Sequence, residues 1–291
     1  MSPVNEEVMM RVEELKLKSV QYRRSVLDII RTSGAGHTGG SLSCVDILNV
    51  LYNHVMNVSP ANFGDPDRDR YIQSKGHSVE ALYAVLADKG FFPREDLQTI
   101  ERYQSHYIGH PTRKVNGIEQ NTGALGHGLS LAVGTALAAK LDGRKYRVYT
   151  LLGDGELAEG SSWEASMTAA HYKLDNLTVI VDRNRLQITG STETVNALEP
   201  LHAKFEAFGY AVCECDGNDV EDLIQTFAQT PFVPGKPNLI LANTVKGKGI
   251  SFMEDTVKWH HRVPTDEEYA AALRELDEAD EALKVVDSGI R

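Results

Sequence analysis

The sequence predicts an α/β fold built on a doubly wound, mostly parallel sheet, and three observations support this prediction. Short apolar runs typical of buried parallel strands alternate with helix-length segments along most of the 291 residues. Residues 147–152 and 177–181 are two such runs, and the segment between them is long enough for a helix. Both runs end in a polar turn, and in a parallel sheet such turns open on the same edge, where ligands bind.

The first half of the chain is predicted to form three helices and one strand. Apolar residues at helical spacing predict a long amphipathic helix over 6–32, which ends at the glycine-rich segment 33–40. A second helix is expected over 43–55, with Ser43 as its N-cap. A short strand over 70–73 and a helix over 78–89 are expected to follow.

The rest of the chain is predicted to complete the same sheet. Residues 103–123 are rich in His, Gly and Asn, show no periodicity, and form the kind of long irregular loop that is usually functional or disordered. A helix over 129–141 leads into the strand before Gly153. Further strands are expected over 210–215 and 238–243, and a charged amphipathic helix over 265–283. We therefore expect one domain over 1–291, with no internal repeat.

Composition narrows the class of protein. A hydrophobic content of 42% is enough for one large core, and the net charge of -11 argues against nucleic acid or an anionic membrane as the main partner. Three cysteines cannot form a disulfide framework, which suits a reducing compartment. The N-terminal segment does not resemble a signal peptide, and no apolar run is long enough to cross a bilayer. These observations predict a cytoplasmic protein.

The two turns at the predicted strand ends carry oxygen ligands. Asp154 lies between Gly153 and Gly155 after the first strand, and Asn184 follows the second. A carboxylate and an amide oxygen are hard donors that suit an octahedral Mg2+, which can also hold a diphosphate. The two glycines allow tight backbone and a close approach of that diphosphate. The sequence therefore predicts a site for Mg2+ and a diphosphate at this edge of the sheet.

Residues 34–39 match the glycine pattern of the dinucleotide-binding fingerprint. That pattern works when it follows a strand and opens a helix, because the pyrophosphate then lies at the amino end of the helix. Here the pattern follows a long predicted helix. We therefore reject an NAD site.

Several histidines lie in breaks flanked by glycine or aromatic residues. Imidazole can donate to diphosphate oxygens and substrate hydroxyls, and it can carry protons near pH 7. Taken singly, each is typical of a solvated loop histidine, and a zinc site is the competing interpretation. The spacing lacks the close ligand pairs of zinc motifs, which argues against zinc. Five of the ten histidines lie in such breaks: His37, His77, His110, His127 and His260.

The order of these motifs resembles the N-terminal, diphosphate-binding part of transketolases, and specifically the short subunit of split transketolases. The resemblance covers about residues 16–264, and the ordered set is specific although several motifs are weak singly. It implies the thiamine diphosphate-binding fold, with thiamine diphosphate and Mg2+ as cofactors. The motifs are residues 33–37, 74–77, 109–111, 122–126, 153–155, Asn184 and 246–249.

The resemblance also implies roles for individual residues. The Mg2+ ligands would be Asp154, Asn184 and the backbone carbonyl of Leu186. Residues at or near the cofactor would be His77, Gly123, Leu125, Gly153, Asp154, Gly155 and Asn184. Residues that bond donor and acceptor hydroxyls and move protons would be His37, His110 and His260. His260 is preferred over His261 because it directly follows the aromatic Trp259.

The resemblance also bears on four further positions. Glu159 and Glu164 resemble carboxylates at the family's dimer interface, and an exposed helix face is the alternative interpretation for both. Ala124 and His127 depart from the residues common in full-length relatives. These departures leave the metal ligands intact and leave the reaction partner open.

The resemblance further implies a partner chain. In this family the cofactor's pyrimidine binds a second domain that supplies a catalytic glutamate, and neither that domain nor the C-terminal domain is expected within residues 1–291. We therefore expect a separate C-terminal subunit, in an assembly of two copies of each chain, acting on sugar phosphates. The sugar contacts would lie largely in that partner.

The leading functional hypothesis is the diphosphate-binding subunit of a two-chain transketolase that transfers a two-carbon glycolaldehyde unit from a ketose to an aldose. Three alternatives remain open at this stage. One is the alpha subunit of a 2-oxo acid dehydrogenase. The others are a deoxyxylulose-phosphate synthase-like enzyme and a non-catalytic subunit that kept the fold.

Overall fold

The computed structural model describes the backbone of residues 3–289 and the side chains of residues 11–285. It confirms the predicted α/β class, because five parallel strands form one sheet with helices packed on both faces. The strands are β1 (Arg70–Gln73), β2 (Val148–Gly153), β3 (Leu177–Arg183), β4 (Leu186–Gln187), β5 (Gly190–Ser191), β6 (Ala211–Asp216) and β7 (Asn238–Asn243). The main sheet has the order β1-β2-β3-β7-β6, and β4 pairs antiparallel with β5 in a small hairpin.

The helices fill the connections between the strands. They are α1 (Pro3–Ser33), α2 (Thr38–Ser43), α3 (Val45–Val50), α4 (Val79–Asp88), α5 (His127–Leu141), α6 (Gly160–His171), α7 (Thr192–Val195), α8 (Leu201–Phe208), α9 (Val220–Ala228) and α10 (Asp266–Gly289). Single helical turns precede or follow several of them. One of these turns, Gly155–Ala158, is capped by Asp154, the residue that follows β2.

Two apolar layers cover the two faces of the sheet. Tyr149 and Leu151 of β2 pack in the layer that includes α1, α3, α4, α9 and α10. Val148 and Leu152, which point to the opposite face, pack in the layer of α5, α6 and α8. Because both faces are buried, each central strand is apolar without alternation, which is why the strands could be predicted as continuous apolar runs.

The last part of the glycine-rich segment 33–40 is helical, because α2 begins at Thr38. The single helix expected over 43–55 is instead the last residue of α2, then α3, then a π-helical turn over Leu51–Val55. Ser43 ends α2, and its hydroxyl donates to the carboxylate of Asp182 at 2.6 Å, so the N-cap prediction is wrong. Small residues let α2 pack closely, since a Cβ at Gly39 would lie 2.9 Å from the Trp259 carbonyl oxygen.

The irregular segment predicted over 103–123 is confirmed, and it extends over residues 100–126 without a helix or strand. It leads into α5 at the edge of the sheet where the polar turns lie. None of the helices described here is long and apolar enough to span a bilayer.

Candidate functional site

A cavity of about 300 Å³ lies at the carboxyl edge of the sheet, where the turns after β1, β2, β3 and β7 meet. Its size is at the lower end of the range for small-molecule sites, roughly 300–1,000 Å³. Two histidines predicted to act on the substrate, His37 and His260, line this cavity. All of the predicted cofactor and metal residues line it as well: His77, Gly123, Leu125, Gly153, Asp154, Gly155, Asn184 and Leu186.

Asp154 is held rigidly at the end of β2. Its carboxylate accepts from the backbone N–H of Gly155 at 2.8 Å and from that of Arg185 at 2.6 Å. The guanidinium of Arg183 donates to the same carboxylate at 3.0 Å. Burial, reinforced by the Asp182 carboxylate, raises the pKa of Asp154, and these donors oppose the rise. The site therefore presents a desolvated carboxylate that favours a cationic partner.

Two further oxygens lie beside Asp154 on the turn after β3. The amide oxygen of Asn184 accepts from the N–H of Leu186 at 3.1 Å, and the carbonyl oxygen of Leu186 accepts from Lys246 at 2.8 Å. Together with Asp154 they form a set of hard oxygen donors, which fits Mg2+ by its chemistry. Within residues 11–285, no group of three or more His, Cys, Asp or Glu side chains could hold a metal ion, and the predicted Mg2+ set contains only one such side chain.

Two buried lysines place ammonium groups at the wall of the cavity. Lys75 forms an ion pair with Asp182 and donates to the Gly40 carbonyl at 3.0 Å. Burial would lower the pKa of Lys75, but Asp182 outweighs it and the pKa lies above its usual value. Burial and the charge of Lys75 lower the pKa of Lys246 to about 8. Lysines at this edge suit an anionic ligand such as a diphosphate.

Three histidine rings, those of His37, His77 and His260, cluster beside these lysines, and only the pair His77–His260 is stacked. The ring centroids of His37 and His77 are 5.0 Å apart, and those of His77 and His260 are 5.7 Å apart. Burial, followed by the nearby His261, lowers the pKa of His37 to about 4, and burial followed by Lys246 lowers that of His260 to about 3. Burial also lowers the pKa of His77 well below its usual value. All three imidazoles are therefore neutral at pH 7.

His110 lies on the other side of His37, in a second cavity of about 140 Å³. His37 lines both cavities, and its ring centroid is 6.5 Å from that of His110. His261 lines the second cavity too, with its centroid 4.6 Å from His37. His260 and His261 are adjacent in the sequence but line different cavities, since His260 faces the large cavity and His261 faces the small one. A Cβ on Gly123 would lie 2.8 Å from His110, so a glycine is needed for this approach.

Several site residues were not assigned roles from the sequence. Lys75 and Lys246 lie within the motifs that carried the resemblance, but nothing in their spacing shows that they would be buried. Glu156 accepts from the N–H of Gly126 at 2.8 Å and from that of Gly153 at 3.0 Å, and so joins two loops of the cavity. The feature of the sequence that could have indicated Glu156 is its position two residues after Asp154.

Three other residues from the sequence analysis lie outside both cavities. Glu159 immediately precedes α6 and Glu164 lies within it, and both are exposed. This agrees with either interpretation of these carboxylates. His127 is the exposed first residue of α5, with its Nδ1 3.1 Å from the Leu125 carbonyl oxygen.

The fold and the cavity together place the chain in the class of doubly wound α/β domains that bind ligands at the carboxyl edge of a parallel sheet. Within that class, residues 16–285 match the family model described as transketolase, thiamine diphosphate binding domain. The chain belongs to this transketolase family, as the order of its motifs predicted.

Curated relatives and solved structures agree with the family. The chain is 49% identical over 280 residues to one subunit of the apulose-4-phosphate transketolase of Phocaeicola vulgatus, covering 96% of this chain and 100% of the relative. It is 44% identical to the 6-deoxy-6-sulfo-D-fructose transketolase subunit SqwG of a Clostridium species, over 91% of this chain and 96% of the relative. The Campylobacter jejuni transketolase structure aligns with a TM-score of 0.80 and 30% identity, over 93% of this chain and 48% of that one. The chain thus spans about half the length of that solved transketolase.

Proposed function

We propose that this chain is the diphosphate-binding subunit of a two-chain transketolase, which transfers a glycolaldehyde unit from a ketose or its phosphate to an aldose or its phosphate. The observation that carries this proposal is the cavity at the strand ends. It brings together the oxygen donors around Asp154, two buried lysines and a cluster of neutral histidines. The family to which the chain belongs supplies the reaction class.

The residues present fit both proposed cofactors. Asp154, Asn184 and the Leu186 carbonyl would hold Mg2+. His77, the backbone at Gly153 and Gly155, and the charge of the lysines would hold the diphosphate. When bound, thiamine diphosphate supplies a carbon nucleophile that cleaves the bond next to a ketose carbonyl, which no side chain of the protein can provide.

The histidines would bind hydroxyls and move protons. His37, His110 and His260 would bond the hydroxyls of donor and acceptor, and a neutral imidazole can accept the proton from the hydroxyl oxygen beside the broken bond. Lys246 orients His260, since its ammonium lies 2.9 Å from Nδ1. An ammonium only donates, so Nδ1 accepts and the neutral ring carries its proton on Nε2. That N–H is then free to donate to a substrate oxygen.

We further propose that the pyrimidine-binding domain and its glutamate belong to a separate subunit, in an assembly of two copies of each chain. The names of the relatives support a second subunit, because two relatives that match along almost their whole length are each named as one lettered subunit of a transketolase. Residues 1–291 would then be one diphosphate-binding domain. A cytoplasmic location remains a prediction of the sequence.

The relatives described above all carry transketolase names, which favours this activity over the two other thiamine enzymes considered. Two of the names also state a sugar, apulose 4-phosphate and 6-deoxy-6-sulfo-D-fructose. For this chain we therefore propose a ketose carrying an anionic group as the donor class and leave the individual sugar open.

The test is glycolaldehyde transfer by the chain reconstituted with its partner subunit. The proposal predicts turnover that requires Mg2+ and thiamine diphosphate, and a loss of at least about a hundredfold in the Asp154→Ala variant. Asp142→Asn, which removes an exposed carboxylate after α5, is the matched control and should retain activity. Full Mg2+-dependent turnover by Asp154→Ala would exclude the metal assignment. Turnover of pyruvate without ketose transfer would exclude the transketolase activity.

A further inference from the structure

The second cavity contains a carboxylate for which the proposed cofactor sites give no role. Glu101 lines it together with Glu80, His110 and His261, and His37 separates it from the large cavity. Because the cofactor-binding residues all line the large cavity, an occupant of the small one contacts the far side of His37. Such an occupant would not meet the proposed diphosphate ligands, which line the large cavity.

The backbone conformation around Glu101 directs its side chain into the second cavity. Glu101 has a φ of 57°, a left-handed conformation that is costly for a residue with a side chain. Its N–H donates to the Tyr107 carbonyl at 3.0 Å, which closes the loop around it. The opposing position is Gly109, where a Cβ would lie 2.6 Å from the Glu101 carboxylate oxygen. A glycine there makes room for the carboxylate.

Glu101 is exposed at the mouth of this cavity, and its carboxylate has no hydrogen-bond or ion-pair partner within residues 11–285, whereas the carboxylate of Glu80 is satisfied. Glu80 is buried and accepts from the Ser41 hydroxyl at 2.7 Å and the His37 N–H at 3.2 Å. Burial, with a smaller contribution from Glu101, raises the pKa of Glu80. The pocket therefore offers one free acceptor group beside two imidazoles, His110 and His261, which can donate N–H bonds.

These groups match a hydroxylated carbon chain. Carboxylate oxygens accept from hydroxyls, and imidazoles can donate to or accept from them. The volume of about 140 Å³ corresponds to between four and five waters at about 30 Å³ each, so the pocket suits a short hydroxylated segment. An anionic group at the same place would face the negative charge of Glu101.

We propose that Glu101, with His110 and His261, forms a specificity pocket that binds a neutral polyol segment of the sugar and rejects an anionic group. This inference rests on the proposed function for its identification of the ligand as a sugar. It implies that the anionic group of the substrate is bound elsewhere, toward the partner subunit, and that Glu101 contributes to the orientation of the sugar.

The test is binding of glycerol and of its carboxylate counterpart D-glycerate to the full chain, followed through the imidazole NMR signals of His110 and His261. Glycerol should shift both signals in a saturable way, and glycerate should bind more weakly. In Glu101→Gln, glycerol affinity should fall about tenfold, as expected for loss of a hydrogen bond to a charged group, and the preference over glycerate should disappear. Glu95→Gln is the matched control. It makes the same change at an exposed residue of the nearby turn Arg94–Thr99, outside the cavity, and should behave as the native chain.

Two results would overturn the proposal. One is that neither ligand perturbs His110 or His261 in the native chain. The other is that Glu101→Gln binds both ligands as Glu95→Gln does. Because this readout needs neither cofactor nor turnover, it is independent of the transketolase assay. If the chain binds glycerol as expected but the reconstituted enzyme transfers no ketose unit, the pocket proposal is retained and the proposed function is refuted.

Discussion

The guanidinium of Arg183 donates a hydrogen bond of 3.0 Å to the carboxylate of Asp154, and both side chains are buried. The same guanidinium also pairs with Glu193 at 2.8 Å and Glu199 at 2.9 Å. It therefore links the proposed metal ligand to the segment that follows the β4–β5 hairpin. The protein supplies its own cation to Asp154, and a bound metal ion would share the carboxylate with it.

Replacing Arg183 should make the chain depend more strongly on Mg2+. Arg183→Met leaves Asp154 buried without its cation, and breaking such a pair costs about 3 kcal/mol or more. A metal ion at Asp154 would supply the missing charge, so Mg2+ with thiamine diphosphate should raise the melting temperature more in the variant than in the native chain.

Arg185→Met is the matched control for this experiment. Its side chain contacts Asn243 at 2.9 Å, and its backbone N–H still donates to Asp154 in the variant. The control should show the native response to Mg2+. Equal melting-temperature increments in Arg183→Met and the native chain would contradict the assignment of Asp154 as a metal ligand.

Lys246 should hold His260 in its neutral form. Burial is the first cause of the low pKa of His260, about 3, and the charge of Lys246 is the second. Lys246→Met removes a cation that opposes protonation of the ring, so the pKa should rise. The imidazole NMR signals of His260 recorded against pH would show this as an upward shift of the midpoint. Lys248→Met, which removes a half-exposed lysine paired with Glu254 at 3.5 Å, should leave the midpoint unchanged.

The lowered pKa of His37 should make the free energy of unfolding depend on pH. Its pKa is about 4 in the folded chain against an ordinary value of 6.5. Between these two values the unfolded chain binds a proton that the folded chain does not, so stability falls as pH decreases through this window. His37→Asn removes this term, and the native chain should lose stability relative to the variant from pH 6.5 down to 4. Urea unfolding of both proteins at several pH values checks this. If His37 had its ordinary pKa in the folded chain, the difference in unfolding free energy between the native chain and the variant would not change with pH.

Two glycines of α5 should respond in opposite ways to alanine. A Cβ at Gly128 would lie 2.4 Å from the Cα of Ser74, whereas one at Gly134 would meet no atom within 4 Å. Gly128→Ala should therefore destabilise the chain by about 1–3 kcal/mol through overpacking against the backbone beside Lys75. Gly134→Ala should stabilise it by about 0.5–1 kcal/mol, because alanine restricts the unfolded chain and favours helix. Urea unfolding of both variants checks this pair, and similar effects at the two positions would refute it.

The sequence was sufficient to predict the sheet and the edge at which the candidate site residues meet, because both follow from local patterns. Central strands such as β2 and β3 are continuous apolar runs, and Asp154 and Asn184 follow directly at their ends. Patterns of this kind determine which turns share the carboxyl edge of a parallel sheet. They do not depend on distant contacts.

Features that depend on long-range packing could not be predicted. Ser43 looked like an N-cap, but it bonds Asp182, which lies 139 residues away along the chain. The burial of Lys75 depends on the same carboxylate, and the split between His260 and His261 depends on which cavity each ring faces. Such relationships arise only when the loops are brought together by the sheet.

We propose that this chain acts as one half of a two-chain transketolase. The most direct measurement is native mass spectrometry of the tagged chain purified from its own cells, followed by a ketose-transfer assay of the purified species. We expect a stoichiometric second chain, and we expect transfer to require thiamine diphosphate, Mg2+ and the presence of both chains. A homo-oligomer that transfers glycolaldehyde units without a second chain would contradict it, and so would a two-chain complex with no such activity.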